Sequence, residues 1–337
     1  MQIPAAISRI ACVSLLLVAS TVVASTPARL IVLNKSEATA VIVDPASLKV
    51  IGRVPVGEGP HEVVVSADGK LAIVANYGAQ RPGNSLSIID IDAAKEIRRH
   101  DLGPLTRPHG MQWNNGKVYF TSETTRSVAR YDIASDKVDW LMGTGASTSH
   151  MLVVSPDGKR LYTSNIGSND VTAMRLDGPP NNAAITQIKV GGQPEAIDLS
   201  PDGSELWVGH NGDGGISIID TATNTVKETI KAGVQLNRLK FSPDGKRVLA
   251  SDPRGGMTGE VIFIEAATRK VIQRIDMPGR PLGIQFTPDG KRAYVARSQA
   301  KRVDVIDMDK LVVAASIETG DAPDGLAWRP ESAGNVR

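Results

Sequence analysis

The chain has 337 residues, 22% of them charged and 41% hydrophobic, with a formal net charge of +2 and a single cysteine. That apolar content excludes a disordered chain, and one thiol excludes a disulfide scaffold. A near-neutral balance and few aromatic residues (4 Trp, 5 Tyr, 4 Phe) supply neither a field for nucleic acid or anionic lipid nor stacking platforms for unpaired bases.

Residues 1–25 read as a secretory signal: Arg9 is the early charge, Ile10 to Val23 is a short apolar run, and Ala24 and Ser25 are small residues suited to cleavage. The run is too short and too rich in small residues for a comfortable membrane span, and no later stretch reaches that length. Cys12 falls inside the leader, so the mature chain, expected in the periplasm or outside the cell, carries no thiol. Three strands follow at Leu30–Leu33, Ala40–Val43 and Lys49–Val54.

From there a unit repeats. Ser155-Pro-Asp-Gly-Lys159 recurs as Ser242-Pro-Asp-Gly-Lys246 and Thr287-Pro-Asp-Gly-Lys291, with variants at Ser66–Lys70 and Ser200–Ser204, a shortened form at Asn114–Lys117 and a degenerate one at Arg329–Ser332. The central residues (68, 115, 157, 202, 244, 289, 331) are 47, 42, 45, 42, 45 and 42 apart, a period that suits four short strands per unit. Asp-Gly is a hairpin turn, because Gly accepts positive φ and Asp bonds its own backbone. An alternating apolar strand precedes each turn, as in Gly283–Phe286, and two strands and a further hairpin follow. The chain begins with strands two to four and ends with strand one alone, Gly325–Trp328. The two partial ends sum to one unit. The prediction is an all-β, seven-bladed β-propeller over residues 26–337, one domain and a monomer, with four antiparallel strands per blade. Its N-terminal strands pair with its C-terminal strand to close the ring.

Counting eight residues back from each turn Gly (seven in the shortened unit) puts His61, His109, His150, Glu195, Asn237, Leu282 and Asp324 in a circle at the openings of the first strands. The second strands end on the same face with Asn34, Asn76, Glu123, Asn165, His210, Asp252 and Arg297, and loops there carry Tyr77, Arg81, Arg126, Arg254 and Lys301. Neutral imidazole with carboxylate suits Zn²⁺, Fe²⁺, Mn²⁺ or Cu²⁺, and equally suits acid/base chemistry near neutral pH. A parity argument opposes both. His61 shares a strand side with apolar Val63 and Val65, which suggests packing between blades, whereas Glu62, Gln112, Asp198, Lys240 and Gln285 read as channel wall. On that view the histidines are strand-opening residues bonded to backbone, unless twist at the rim turns them toward the axis.

Other signals carry less. Asp198 and Lys240 face the channel as a predicted ion pair. His210-Asn-Gly-Asp-Gly-Gly215 lacks the spaced carboxylates of an EF-hand and reads as a strand connection, and Asp177–Asn182 reads as an enlarged turn. Trp113, Phe241, Phe286 and Trp328 share one strand position and are predicted interblade core. Gly-x-Ser-x-Gly and Cys-x-x-Cys-His are absent, which removes the nucleophile elbow and covalent c-type haem.

Leu161-Tyr-Thr-Ser-Asn165, Leu71-Ala-Ile-Val-Ala-Asn76 and Ile218-Ile-Asp-Thr-Ala-Thr-Asn-Thr-Val226 resemble the YVTN-type β-propeller repeat of bacterial and archaeal surface and periplasmic proteins, and the resemblance covers residues 29–332. It implies the fold. It leaves the function open among similar propellers, which include haem d1 domains, sugar-lactone hydrolases, an antibiotic-cleaving lyase, surface layers and binding proteins. Two readings follow. In one, His61, His109 and His150 hold a divalent metal, Glu195 or Glu123 moves a proton, and His210, Asp324, Asn165 and Arg297 complete the rim of a lactonase-type hydrolase or lyase for a small molecule. In the other, the face is a non-catalytic module for an envelope protein, a glycan or a haem-like cofactor. An inert envelope scaffold is a third.

Overall fold

A computed structural model describes residues 26–178, 185–255 and 258–332. The predicted leader over residues 1–25 and most of the enlarged turn near residues 179–184 lie outside them. The described residues form seven four-stranded antiparallel sheets, and no helix among them is long and apolar enough to cross a membrane. Two units separate: Ala28–Pro330, which is the ring, and the terminal segments, in which Thr26 and Ser332 form an isolated antiparallel bridge.

The innermost strands of six blades are β4 (Pro60–Val65), β8 (Pro108–Asn114), β12 (Ser149–Val154), β16 (Pro194–Leu199), β20 (Arg238–Phe241) and β24 (Pro281–Phe286). Each begins a sheet of four strands consecutive in sequence. The seventh blade is composite: β28 (Pro323–Arg329) pairs with β1 (Arg29–Asn34), Leu30 opposite Trp328 and Ile31 opposite Ala327. Consecutive inner strands touch all the way round, from β4 through β28 and back to β4. The closure expected from the chain ends is therefore present.

The turn chemistry behaves as the repeat requires. Ser66, Ser155, Ser200, Ser242 and Thr287 each donate a hydroxyl to the Asp two residues on, at 2.6 Å. In the shortened unit Asn115 and Gly116 both take positive φ (47° and 78°), the signature of a two-residue type I′ hairpin. Apolar side chains of neighbouring sheets interlock into cores, such as Trp207 edge-on to Phe241 at 5.4 Å and Tyr294 stacked on Trp328 at 5.7 Å. Phe241 and Phe286 are buried there, while Trp113 and Trp328 are half-buried.

Candidate functional site

The parity objection holds for His61, whose Nδ1 meets the Gly59 carbonyl and which stays outside the group of converging donors, but not for His109 and His150, because the inner strands are not regular at their openings. The register slips between Pro60 and Glu62, Pro108 and Met111, Ser149 and Leu152, Pro194 and Ala196, and Pro281 and Ile284. A bulge leaves one residue out of the ladder and re-aims its side chain. The released residue or pair includes His61, His109, His150 and Glu195. Glycines then let adjacent inner strands approach: a Cβ on Gly325 would collide with the His61 carbonyl oxygen, and one on Gly110 would lie only 2.6 Å from the Met151 Cα.

The outcome is a chain of rings over three blades. His109 stacks on His150 with centroids 3.8 Å apart, and His61 lies 4.9 Å from His109. Tyr77 packs against both His61 (4.6 Å) and His109 (5.4 Å), with the Arg107 guanidinium over its ring, 4.7 Å from the centroid. Glu123 joins the group: it accepts from the Tyr77 hydroxyl at 2.6 Å and pairs with His150 Nδ1 at 2.5 Å. Glu195 lies 3.8 Å from His150 Nε2 and accepts from the Asn237 amide. At the other end, Asp324 pairs with Lys35 at 2.8 Å, and its second oxygen is buried without a partner among the described residues. Donor atoms of His109, Glu123 and His150 all lie within 4.8 Å of one another.

Charge states differ along the arc. Burial pulls the His61 pKa down to about 4, against the pull of Asp324, and His109 is driven well below its usual value by burial and by the neighbouring histidines. Both are neutral at pH 7. Burial also disfavours charge on His150, but the Glu123 hydrogen bond and the charges of Glu195 and Glu123 outweigh it, so its pKa is raised. Burial raises Glu195 despite His150, and it pushes Tyr77 up to about 12 together with the Glu123 contact. Burial opposes the charge of Asp324, yet Lys35 and His61 hold its pKa down to about 2.

Asp324 supplies a stability test. Its folded pKa lies below the ordinary 3.8, so its contribution is complete above about pH 4 and is lost as pH falls toward 2. A displacement of this size corresponds to about 2 kcal/mol. In urea titrations, the stability gap between wild type and Asp324→Asn should shrink by about that amount from pH 5 to pH 2. A gap that stays constant over this range would refute the assignment.

Asn165, His210 and Arg297 are not brought to this group. Asn165 donates to Asp170 and Thr172, His210 Nδ1 pairs with Asp213 at 2.9 Å while its Nε2 meets Ser217, and Arg297 pairs with Asp304 and donates to the Pro278 carbonyl. Asn34 and Asn76 likewise reach Thr319 and Gly57, in the loops that feed their own blades. This position ties strand two within its blade, and all five side chains are buried by it. Glu123 escapes that role because the two-residue Asn115-Gly116 turn starts strand two a residue early. Pro108 therefore pairs with Ser122, where Pro60 pairs with Asn76, so Glu123 corresponds to Tyr77 and Lys35 rather than to Asn76. Counting from the turn with this offset would have revealed the tier formed by Lys35, Tyr77 and Glu123.

Beneath the imidazoles Arg238 pairs with Glu62 at 2.6 Å. A cavity of about 580 Å³ lies in the channel and is lined by Glu62, Gln112, Asp198, Arg238, Lys240 and Gln285, but by none of the histidines. Asp198 and Lys240 pair there at 3.1 Å, as expected. The chemistry-bearing cluster and this open volume are thus different places, and the donor geometry marks the former as the candidate site.

The chain belongs to the YNCE-like beta-propeller family, whose model matches residues 3–334. It is 28% identical over 198 residues to Antigen Lp49 of Leptospira interrogans, a match covering 57% of this chain and 36% of that protein. The chain thus matches about a third of the length of that curated relative. Among solved structures it resembles the Hydrazine Synthase of Kuenenia stuttgartiensis (TM-score 0.68, 22% identity, 80% of this chain and 89% of that one). It also resembles a functionally unknown protein of Desulfotomaculum acetoxidans (0.74, 13%, 89% and 98%). A third likeness is a Bacteroides fragilis protein provisionally assigned as a 6-phosphogluconolactonase (0.72, 15%, 89% and 97%). At such identities the likeness is one of fold.

Proposed function

We propose that the imidazole face binds one divalent transition metal through His109, His150 and Glu123, and presents it to a small ligand. One observation carries this reading: the three donors converge within 4.8 Å while the buried Nδ1 of His109 has no partner among the described residues. An orphaned ring nitrogen in the interior costs free energy that a metal bond removes. His109 is neutral and ready to ligate. The charge environment agrees, because Glu62, Glu123, Glu195 and Asp324 gather around Lys35, Arg238 and His150, with Arg280 also acting on Glu195. A dication in place of a proton on His150 offsets one more of those negative charges.

A bound metal supplies Lewis-acid polarisation of a carbonyl or a more acidic water. The protein's own part is then to move a proton. Glu195 is placed for it, since burial raises its pKa and Asn237 fixes one of its oxygens. His61 closes the arc with its Nδ1 directed at the Gly59 carbonyl, 3.2 Å away. Tyr77 orients Glu123 from outside the metal position. The reaction class this suits is hydrolysis of a lactone or a related lyase step on a small carbonyl compound, carried out by a monomer outside the cytoplasm as the leader-like residues 1–25 suggest.

The test is metal analysis of protein purified without a histidine tag, followed by titration with zinc. The expected stoichiometry is one. Retention below about 0.1 equivalent with no calorimetric response to Zn²⁺, Mn²⁺, Fe²⁺ or Cu²⁺ would end this reading.

A further inference from the structure

The channel floor beneath the imidazoles is one side-chain pair. Glu62 comes from β4 and Arg238 from β20, so their 2.6 Å contact joins residues 176 apart in sequence. Two inner strands, β24 and β28, separate them on the shorter way round the ring. Arg238 lies close enough to the rings above for its charge to disfavour protonation of His109 and His150. Its guanidinium is poorly matched. Nη2 donates to Glu62, but Nη1 meets only the Met151 thioether sulfur at 2.9 Å, and among the described residues no acceptor is seen for Nε. A guanidinium has five N–H donors in a planar fork suited to two carboxylate oxygens, and a thioether is a weak acceptor. A half-buried arginine held in this way has unused donors, and it lines the channel cavity together with Glu62 and Met151.

We infer that Arg238 is a carboxylate-recognition group and that the ligand of this site is a small molecule carrying a carboxylate, for which Glu62 is the resident stand-in. The inference rests on the metal reading for where the ligand's reacting end sits, but Arg238 can be tested apart from it. Glu62 already displays the chemistry the fork accepts. Both two-oxygen forks of the guanidinium include Nη2, so an arriving carboxylate either takes a single donor on Nη1 or Nε beside Glu62 or displaces Glu62 to gain a full fork. With a dication at His109, Glu123 and His150, the four nearby carboxylates are balanced by Lys35, Arg238 and the metal, so a further anion meets no net repulsion.

The experiment is calorimetric titration of the full chain with succinate and with its neutral counterpart succinamide, on zinc-loaded and zinc-free protein. Wild type should bind succinate and not succinamide. Glu62→Gln removes the competitor and should tighten succinate about tenfold, whereas Arg238→Gln should weaken it about tenfold or more. The opposed signs keep the test valid if Arg238→Gln misfolds, since a variant that merely damages the floor cannot gain affinity. Weaker succinate binding in Glu62→Gln would overturn the inference, as would equal binding of succinamide. If zinc fails to bind but Glu62→Gln still tightens succinate on zinc-free protein, the metal reading falls and the role of Arg238 stands. If zinc binds with a stoichiometry of one and succinate responds to neither variant, only the inference falls.

Discussion

Replacing His109 by alanine lowers the affinity for zinc at least about a hundredfold, a change of about 2.7 kcal/mol. The ring is 3% exposed, sits between His61 and His150, and has an Nδ1 with no hydrogen-bond partner among the described residues. Its removal leaves His150 and Glu123, which already satisfy each other at 2.5 Å and have no need of a metal. The readout is the zinc-dependent gain in stability rather than the melting temperature alone, because deleting a buried ring also opens a cavity. At a hundredfold excess over Kd, zinc should stabilise wild type by about 2.7 kcal/mol and the variant by almost nothing. His100→Ala is the control. His100 pairs with Asp136 at 2.9 Å and packs on Tyr131, in a different part of its blade, so its loss should leave zinc affinity unchanged. Zinc affinity in His109→Ala within a factor of three of wild type would show that the ring only fills space.

Tyr77→Phe gives a graded counterpart. The hydroxyl donates to Glu123 at 2.6 Å while the ring stays packed on His61. Losing one orienting hydrogen bond to a ligand should cost about tenfold in zinc affinity with the fold intact. No change in affinity would place Tyr77 outside the metal's support.

What could be read from the residues, and what could not, divides along the range of the interaction involved. The blades were legible because Asp-Gly turns and β-branched alternation act over a few residues. Their register then carries His61, His109 and His150 to one rim by counting alone. The direction of those side chains was not legible, because a bulge such as the one between Pro108 and Met111 reverses a parity argument without leaving a mark in composition. Glu123 was drawn to the right face through a count that is off by one residue, since the shortened turn changes where its strand begins. Asn165, His210 and Arg297 share the spacing of rim residues but spend their polar atoms inside their blades. Arg238 with Glu62 depends on ring geometry, which brings together residues from distant repeats, whereas Lys35 with Asp324 follows from the pairing of β28 with β1 inside the composite blade.

A chain ending at Ala322, without β28, should fail to fold as a cooperative unit. The strand's loss is not that of an ordinary edge. It supplies the innermost strand of the composite blade, opposite Leu30, Ile31 and Val32, which are at most 1% exposed. On one side Ala327 packs with Ile31, Leu33 and Val63, and on the other Leu326 and Trp328 pack with Leu30, Val32 and Tyr294. One strand therefore completes two interblade cores, and its removal also bares the full hydrogen-bonding edge of β1. Most small domains hold only about 5–15 kcal/mol of net stability, and two opened cores with an unpaired central strand exceed that range. The expected result is loss of a cooperative thermal transition, with the truncated chain eluting as aggregates in size-exclusion chromatography. A cooperative melt within about 5 °C of the intact chain would show that six blades and a partial seventh suffice, and that pairing of the two chain ends does not hold the ring together.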